Sequence, residues 1–129
     1  MMSYDQVILI TGARDWTDAV AIKNVLEPYK NKRVLLIHGD CRGVDKLAGN
    51  AAKDLGFSLS VKPANWTKYG RAAGPIRNKE MVNEALAYQK AGISTIVLAF
   101  HDDLSTSKGT KQCVGQAEKA GLEIILYSH

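Results

Sequence analysis

This sequence predicts an α/β fold: a single Rossmann-like domain on a five-stranded parallel sheet of order 3-2-1-4-5, with helices on both faces. Three observations carry that expectation. Short apolar runs with polar borders, Val7–Ile10 and Val34–Ile37 foremost, read as strands buried on both faces. Segments with apolar residues at helical spacing lie between such runs, and this alternation implies parallel strands joined by helical crossovers. Glycine-bearing turns follow the runs, as in Gly39-Asp40-Cys41-Arg42-Gly43. At 129 residues, with no internal repeat and no linker, the whole of 1–129 is expected to be that one domain.

The first strand, Val7–Ile10, ends in Thr11-Gly12-Ala13-Arg14-Asp15-Trp16. Thr17 or Asp18 is suited to cap a helix running through Val20, Ile22, Val25 and Leu26, before Pro28 and the polar Lys30-Asn31-Lys32-Arg33. The second strand turns through Gly39 and Gly43 into a helix carrying Ala48, Ala51, Ala52 and Leu55. Phe57–Val61 alternates with period two and reads as a third strand near a sheet edge. Residues 63–74 are expected to form the longest irregular segment. Pro75 suits the first turn of a helix that presents Ile76, Met81, Val82, Ala85 and Leu86 and ends near Gly92. Ser94–Phe100 is the fourth strand and 101–108 a polar loop. Gly109-Thr110 opens the fourth helix, Gly121 stops it, and Leu122–Tyr127 is the fifth strand.

Composition narrows the function classes. Lys and Arg number 17 against 13 Asp and Glu, a net charge of +4. That balance suits an anionic small molecule, but without a basic stripe it is no nucleic-acid footprint, so nucleic acid is not an expected partner. No apolar run approaches the ~20 residues of a membrane span. The opening Met1–Gln6 lacks the basic start and small-residue cleavage site of a secretory signal. Cys41 and Cys113 are too few for a disulfide scaffold and fit a reducing compartment. The expected setting is cytoplasmic, with no membrane partner.

In doubly wound sheets, ligands bind beyond the carboxyl ends of the strands where strand order reverses. That rule gathers four loops at one rim: 12–16, 39–43, 64–78 and 105–110. A strand turning through glycines into a helix points backbone N–H groups and the positive end of the helix dipole at one spot, which attracts anions. Arg42 adds a charge with forked geometry for phosphate or carboxylate. Gly-x-Gly-x-x-Gly is absent after the first strand, and so is Gly-x-x-x-x-Gly-Lys-Ser/Thr, so phosphate would be held in another style. Asp40, Asp45, His101, Asp102 and Asp103 could meet around Mg²⁺ accompanying a phosphorylated ligand, although no resident metal or cofactor is implied. Trp16, Trp66 and Tyr69 suit either stacking on a base or packing under a loop.

Four blocks are familiar: Gly12-Ala13-Arg14-Asp15-Trp16, His38 to Asp45, Gly70 to Met81, and Ser107-Lys108-Gly109-Thr110. Together they resemble the SLOG superfamily, in particular its small YspA-type group related to YpsA, over essentially the whole chain. LOG phosphoribohydrolases and the DNA-processing protein DprA are relatives of that group. The resemblance implies a nucleotide or nucleotide-derived ligand at the rim, a sensor or sequestering role, and a homo-oligomer, dimer or tetramer. Gly39, Arg42, Gly43 and Asp45 match the family's glycine-rich turn, Arg77 and Asn78 its arginine block, and Gly109 with Thr110 its second phosphate loop. With Gly12, Arg14, Asp15, Ser107 and Lys108, these residues are the expected ligand-binding set. Arg77 is expected to send its guanidinium over the rim and to carry little of the fold, while Thr110 offers a hydroxyl and an N–H to phosphate.

One departure bears on turnover. LOG-type hydrolases have Pro-Gly-Gly-x-Gly-Thr followed by a glutamate pair, and Gln112 and Cys113 stand at those positions here. Neither can act as a carboxylate that stabilises an oxocarbenium ion or moves a proton. Turnover of that type is therefore not expected, and no catalytic residue is assigned. A nucleotide hydrolase or transferase using Glu80, Asp15 or Asp45 instead is the second reading; single-stranded DNA binding as in DprA is the third.

Overall fold

The computed structural model describes residues 3–129. The expectation that the first six residues carry no secretory signal rests partly on Met1 and Met2, which lie outside the described residues. Five parallel strands form one sheet: β1 (Gln6–Gly12), β2 (Val34–His38), β3 (Ser58–Val61), β4 (Ser94–Phe100) and β5 (Glu123–Tyr127). Their order is β3-β2-β1-β4-β5, as the sequence predicts. The helices are α1 (Ala19–Leu26), α2 (Val44–Asp54), the single turn α3 (Trp66–Tyr69), α4 (Ala73–Lys90) and α5 (Lys108–Lys119).

The central strands have no water-facing side, which is why their sequences are apolar without alternation. In β1, Ile8 and Ile10 project into one core with Ile22 of α1 and Ala48 of α2. Val7 and Leu9 project into the other core, with Met81 of α4 and Ala117 of α5. All four β1 side chains are fully buried. The edges behave differently: Val61 of β3 and Leu126 of β5 stay exposed. The connections place β1 and β4 side by side while the loops leaving them pass to opposite faces, so the rim opens between their carboxyl ends.

Local structure departs from expectation mainly in the segment 63–74, which is not irregular. Asn65 accepts the Lys68 N–H at 3.0 Å and so caps α3. Gly70 follows with φ +54, a 3₁₀ turn spans Gly70–Ala72, and α4 begins at Ala73, two residues ahead of Pro75. Proline costs no hydrogen bond there, because the first four N–H groups of a helix lack intrahelical partners. There are thus five helices rather than four among the described residues, and the extra one is too short for periodicity to reveal. Asp18, not Thr17, caps α1 by accepting the Ala21 N–H at 3.0 Å. Likewise α5 begins at Lys108, one residue ahead of Gly109, with Ser107 accepting the Thr110 N–H at 3.2 Å.

Burial sets the expected response to truncation. Leu9→Ala opens a cavity at a fully buried central site and should cost about 2–5 kcal/mol in urea unfolding. Leu126→Ala, at an exposed edge position, should cost less than about 1 kcal/mol. Equal costs would contradict the placement of the core.

Candidate functional site

The turn leaving β2 is built around backbone groups that side chains from elsewhere must satisfy. Asp45, in the first turn of α2, accepts the N–H of Gly39 at 2.9 Å and of Cys41 at 3.3 Å through one carboxyl oxygen. Burial pushes the Asp45 carboxyl up to about 6, against the pull of those two N–H groups and of the Arg77 charge. His38 accepts the Asp40 N–H at its Nδ1 (3.0 Å), and its other nitrogen lies over Gly49. Burial lowers the His38 pKa, so the ring is a neutral structural acceptor. Asp40 itself adopts φ +60 and pairs with Lys46 at 2.9 Å.

Arg77 closes this turn from the other side of the sheet. Its Nη1 donates to the carbonyl of Gly39, its Nε to Asn78 Oδ1 at 2.9 Å, and its Nη2 to Cys41 Sγ at 3.4 Å. A Cβ on Gly39 would overlap the guanidinium, so that glycine is where the arginine passes. Arg77 is only 7% exposed, and neither Glu80 nor Glu84 holds it. It borders the rim but does not reach freely over it, and it carries part of the fold, contrary to the sequence expectation. The reason is that an uncovered carbonyl of Gly39 and a helix facing it left a buried acceptor for a forked donor. Asn78 extends the tie, donating to the Gly109 carbonyl at 3.3 Å and so fixing the start of α5.

These ties frame an open cavity of about 510 Å³ where the loops after β1, β2 and β4 meet α4. Every residue of the expected set lines it except Gly39 and Gly43. Gly39 borders an adjoining hollow of about 440 Å³. Gly43, at φ +78, packs against the carbonyls of Ala13 and Arg14, where no side chain would fit. Thr11, Met81 and Thr106 also line the cavity and were not singled out from sequence. Thr11 and Thr106 flank residues that were, and Met81 lies one helical turn beyond Arg77, which is the signal that would have found them.

The cavity is cationic. Arg14, Arg42 and Lys108 are exposed at its wall and Arg77 is buried in it. Asp15 and Asp45 are the acids facing them, and Asp45 is already engaged by backbone N–H groups. Ser107 uses its hydroxyl to cap Thr110, so the N–H that was to bind phosphate is taken up within the protein. Lys108 and Gly109 contribute orphan N–H groups at the start of α5. Among the described residues no three His, Cys, Asp or Glu side chains converge to hold a metal ion. Asp102 is occupied by His129 and Asp103 by Ser105, whose bonds hold both carboxyls below the usual carboxylate range. Trp16 is core, stacked on His129 with ring centroids 4.2 Å apart and donating from Nε1 to the Asp18 carbonyl. Trp66 and Tyr69 remain exposed. Cys113 is fully buried, and burial pushes its thiol up to about 12.

A parallel sheet with a cavity at its reversal of strand order defines a Rossmann-like α/β domain. The chain belongs to the YspA, cpYpsA-related SLOG family (YAcAr), whose family model matches residues 6–69. It is similar to the Gene 61 protein of Mycobacterium phage D29, at 33% identity over 126 residues, covering 92% of this chain and 93% of the phage protein. Its fold is that of DNA processing protein A (DprA) from Streptococcus pneumoniae, at TM-score 0.71 and 15% identity over 95% of this chain. The chain spans about half the length of that DprA structure, 53%. The C-terminal domain of a Pyrococcus furiosus hydrogenase is a second fold relative, at TM-score 0.53 and 12% identity, covering 95% of this chain and 90% of that domain. No helix among the described residues is long and apolar enough to cross a membrane.

Two outcomes follow from this geometry. Arg77→Ala leaves the Gly39 carbonyl without its donor and should destabilise the protein by about 1–3 kcal/mol, seen as a lower Tm before any ligand is added. An unchanged Tm would show that the guanidinium has no structural role. The second concerns pH. Because the folded Asp45 carboxyl titrates at about 6 rather than 3.8, the folded state holds its proton more tightly than the unfolded chain. Its stabilising contribution is then full below about pH 4 and is lost as pH rises through about 6. The Tm of the wild type relative to Asp45→Asn should therefore fall between about pH 4 and pH 7, and a constant difference would refute the raised value.

Proposed function

We propose that the chain is a nucleotide-binding module, a sensor or sequestering protein, that holds a nucleotide or nucleotide derivative by its phosphate at the sheet rim. The observation that carries this reading is the cavity of about 510 Å³ into which Arg14, Arg42, Lys108 and the start of α5 converge. Its volume falls within the ~300–1,000 Å³ usual for small-molecule sites. Membership of the SLOG family supports the same reading. Arg14, Arg42, Arg77 and Lys108 all border the same cavity, which suits a compact anion. Of the carboxylates a hydrolase reading would need, Glu80 is exposed outside the cavity lining and Asp45 is engaged by the Gly39 and Cys41 N–H groups, which leaves Asp15 as the exposed acid at the wall. Any Mg²⁺ would arrive with the ligand's phosphate, since the rim carboxylates Asp40, Asp102 and Asp103 already have partners.

Calorimetric titration with the four nucleoside monophosphates and the matching nucleosides tests this, with chromatography of each mixture for released base. The expected result is saturable binding that requires the phosphate, without base release. Arg42 is exposed and makes no hydrogen bond within the protein among the described residues, so Arg42→Ala should keep the Tm. It should weaken binding about tenfold or more, the loss of a charge-assisted hydrogen bond. Binding that ignores the phosphate, or steady release of base, would overturn the proposal.

A further inference from the structure

A second cavity, of about 700 Å³, adjoins the first across the amino-terminal turn of α4. Arg14, Arg77, Asn78, Lys108 and Gly109 border both, so the two are continuous rather than separate sites. Their linings differ in chemistry. The new cavity adds Trp66, Gly74 and Pro75, which offer apolar and aromatic surface, together with Arg71, Lys111 and Gln112 at its border. Trp66 also borders the hollow of about 440 Å³ on the other side of Arg14, there beside Asp40, Arg42, Pro63 and Ala64, so the indole stands between the two.

Trp66 is the unusual residue here. An indole is the largest apolar surface a side chain has, yet this one is 50% exposed. It is also positioned: Asn65 caps its turn, and Trp66 Cη2 lies 3.4 Å from where a Cβ on Gly74 would stand. The indole thus lies against the first turn of α4 beside Gly74, where even a Cβ would meet it at ordinary van der Waals distance. A large aromatic face, held in place, uncovered, and joined to a cationic cavity, has the makings of a stacking platform for one half of a ligand whose other half is anionic.

Resting on the nucleotide-binding reading above, we infer that the ligand is two-part. Its phosphate occupies the cationic cavity, its heteroaromatic base stacks on Trp66 in the adjoining apolar cavity, and Arg14 marks the junction. Trp66 then sets specificity for molecules that carry a base over sugar phosphates that do not. The sequence left Trp66 open between stacking and packing. Its exposure and its place beside the charged rim favour stacking.

The probes are the nucleoside monophosphate that binds wild type most tightly and ribose 5-phosphate, which differs from it by the base alone. Titrations use wild type, Trp66→Ala and Trp66→Phe. Stacking on an aromatic side chain is worth ~1–3 kcal/mol per base, so Trp66→Ala should weaken the nucleotide about 5- to 150-fold. Ribose 5-phosphate should bind wild type and Trp66→Ala alike, and Trp66→Phe should recover part of the nucleotide affinity. Nucleotide binding that is indifferent to Trp66→Ala overturns the inference and leaves the nucleotide-binding reading standing. Equal weakening of both probes overturns it too, since Trp66 would then shape the phosphate cavity. Failure of every monophosphate to bind wild type removes both readings.

Discussion

Both peptide groups of Gly39 are satisfied by side chains that belong to other elements, and the rim takes its shape from that constraint. Asp45 of α2 accepts the Gly39 N–H, and Arg77 of α4 donates to the Gly39 carbonyl. One helix from each face of the sheet is thereby tied to the same residue at the end of β2. Asn78 carries the tie onward to Gly109, so the entrance to α5 is set by the same turn of α4. A buried guanidinium and a buried carboxyl would each be costly alone. Their mutual attraction and their backbone partners offset that cost, and removing either leaves the other exposed to it. The cavity floor is therefore part of the folding core rather than an appendage to it.

The same constraint explains why glycine is frequent at the rim without any familiar phosphate signature. A Cβ on Gly39 would overlap Arg77, and one on Gly12 would run into Val44 and the Phe100 carbonyl. These glycines make room for neighbouring elements to approach one another. In a Gly-x-Gly-x-x-Gly loop, glycine makes room for the pyrophosphate itself. Here the anion-attracting groups are side chains, Arg14, Arg42 and Lys108, together with the start of α5. Motif searching for glycine-rich loops is blind to that arrangement.

Much of the architecture was legible because it rests on period and length. Val7–Ile10, Val34–Ile37 and Ser94–Phe100 announce buried parallel strands, and the strand order follows from crossovers of ordinary length. The rim was legible because topology brings loops together whatever their residues. What sequence could not show is which charged residue is spent internally. Arg42 and Arg77 look alike in the chain, yet one is exposed and the other is locked between Gly39, Asn78 and Cys41. That difference depends on a contact 38 residues apart in sequence. Likewise Trp16 and Trp66 each lie in a loop-like stretch of the sequence, and only packing makes one core and the other surface. The short helix α3 escaped because four residues hold barely one turn.

Charge balance at the floor also bears on why this chain has a cysteine where LOG-type hydrolases have a glutamate. Cys113 packs in the core beside Thr11, within electrostatic reach of both Asp45 and Arg77. A carboxylate there would be a second buried acid beside Asp45, and like charges in a low-dielectric site drive one another toward the protonated form. With a thiol in that place, Asp45 is the sole buried acid near Arg77 among the described residues, and the cavity above keeps its positive field. Cleavage of an N-glycosidic bond develops positive charge on the sugar and calls for an anionic side chain next to it. In the cavity here, Arg14, Arg42 and Lys108 at the wall and the buried Arg77 outnumber the acids Asp15 and Asp45, so the balance of charge favours the opposite field. Under the proposed reading, such a field would stabilise a bound anion in its ground state and favour retaining the ligand over cleaving it.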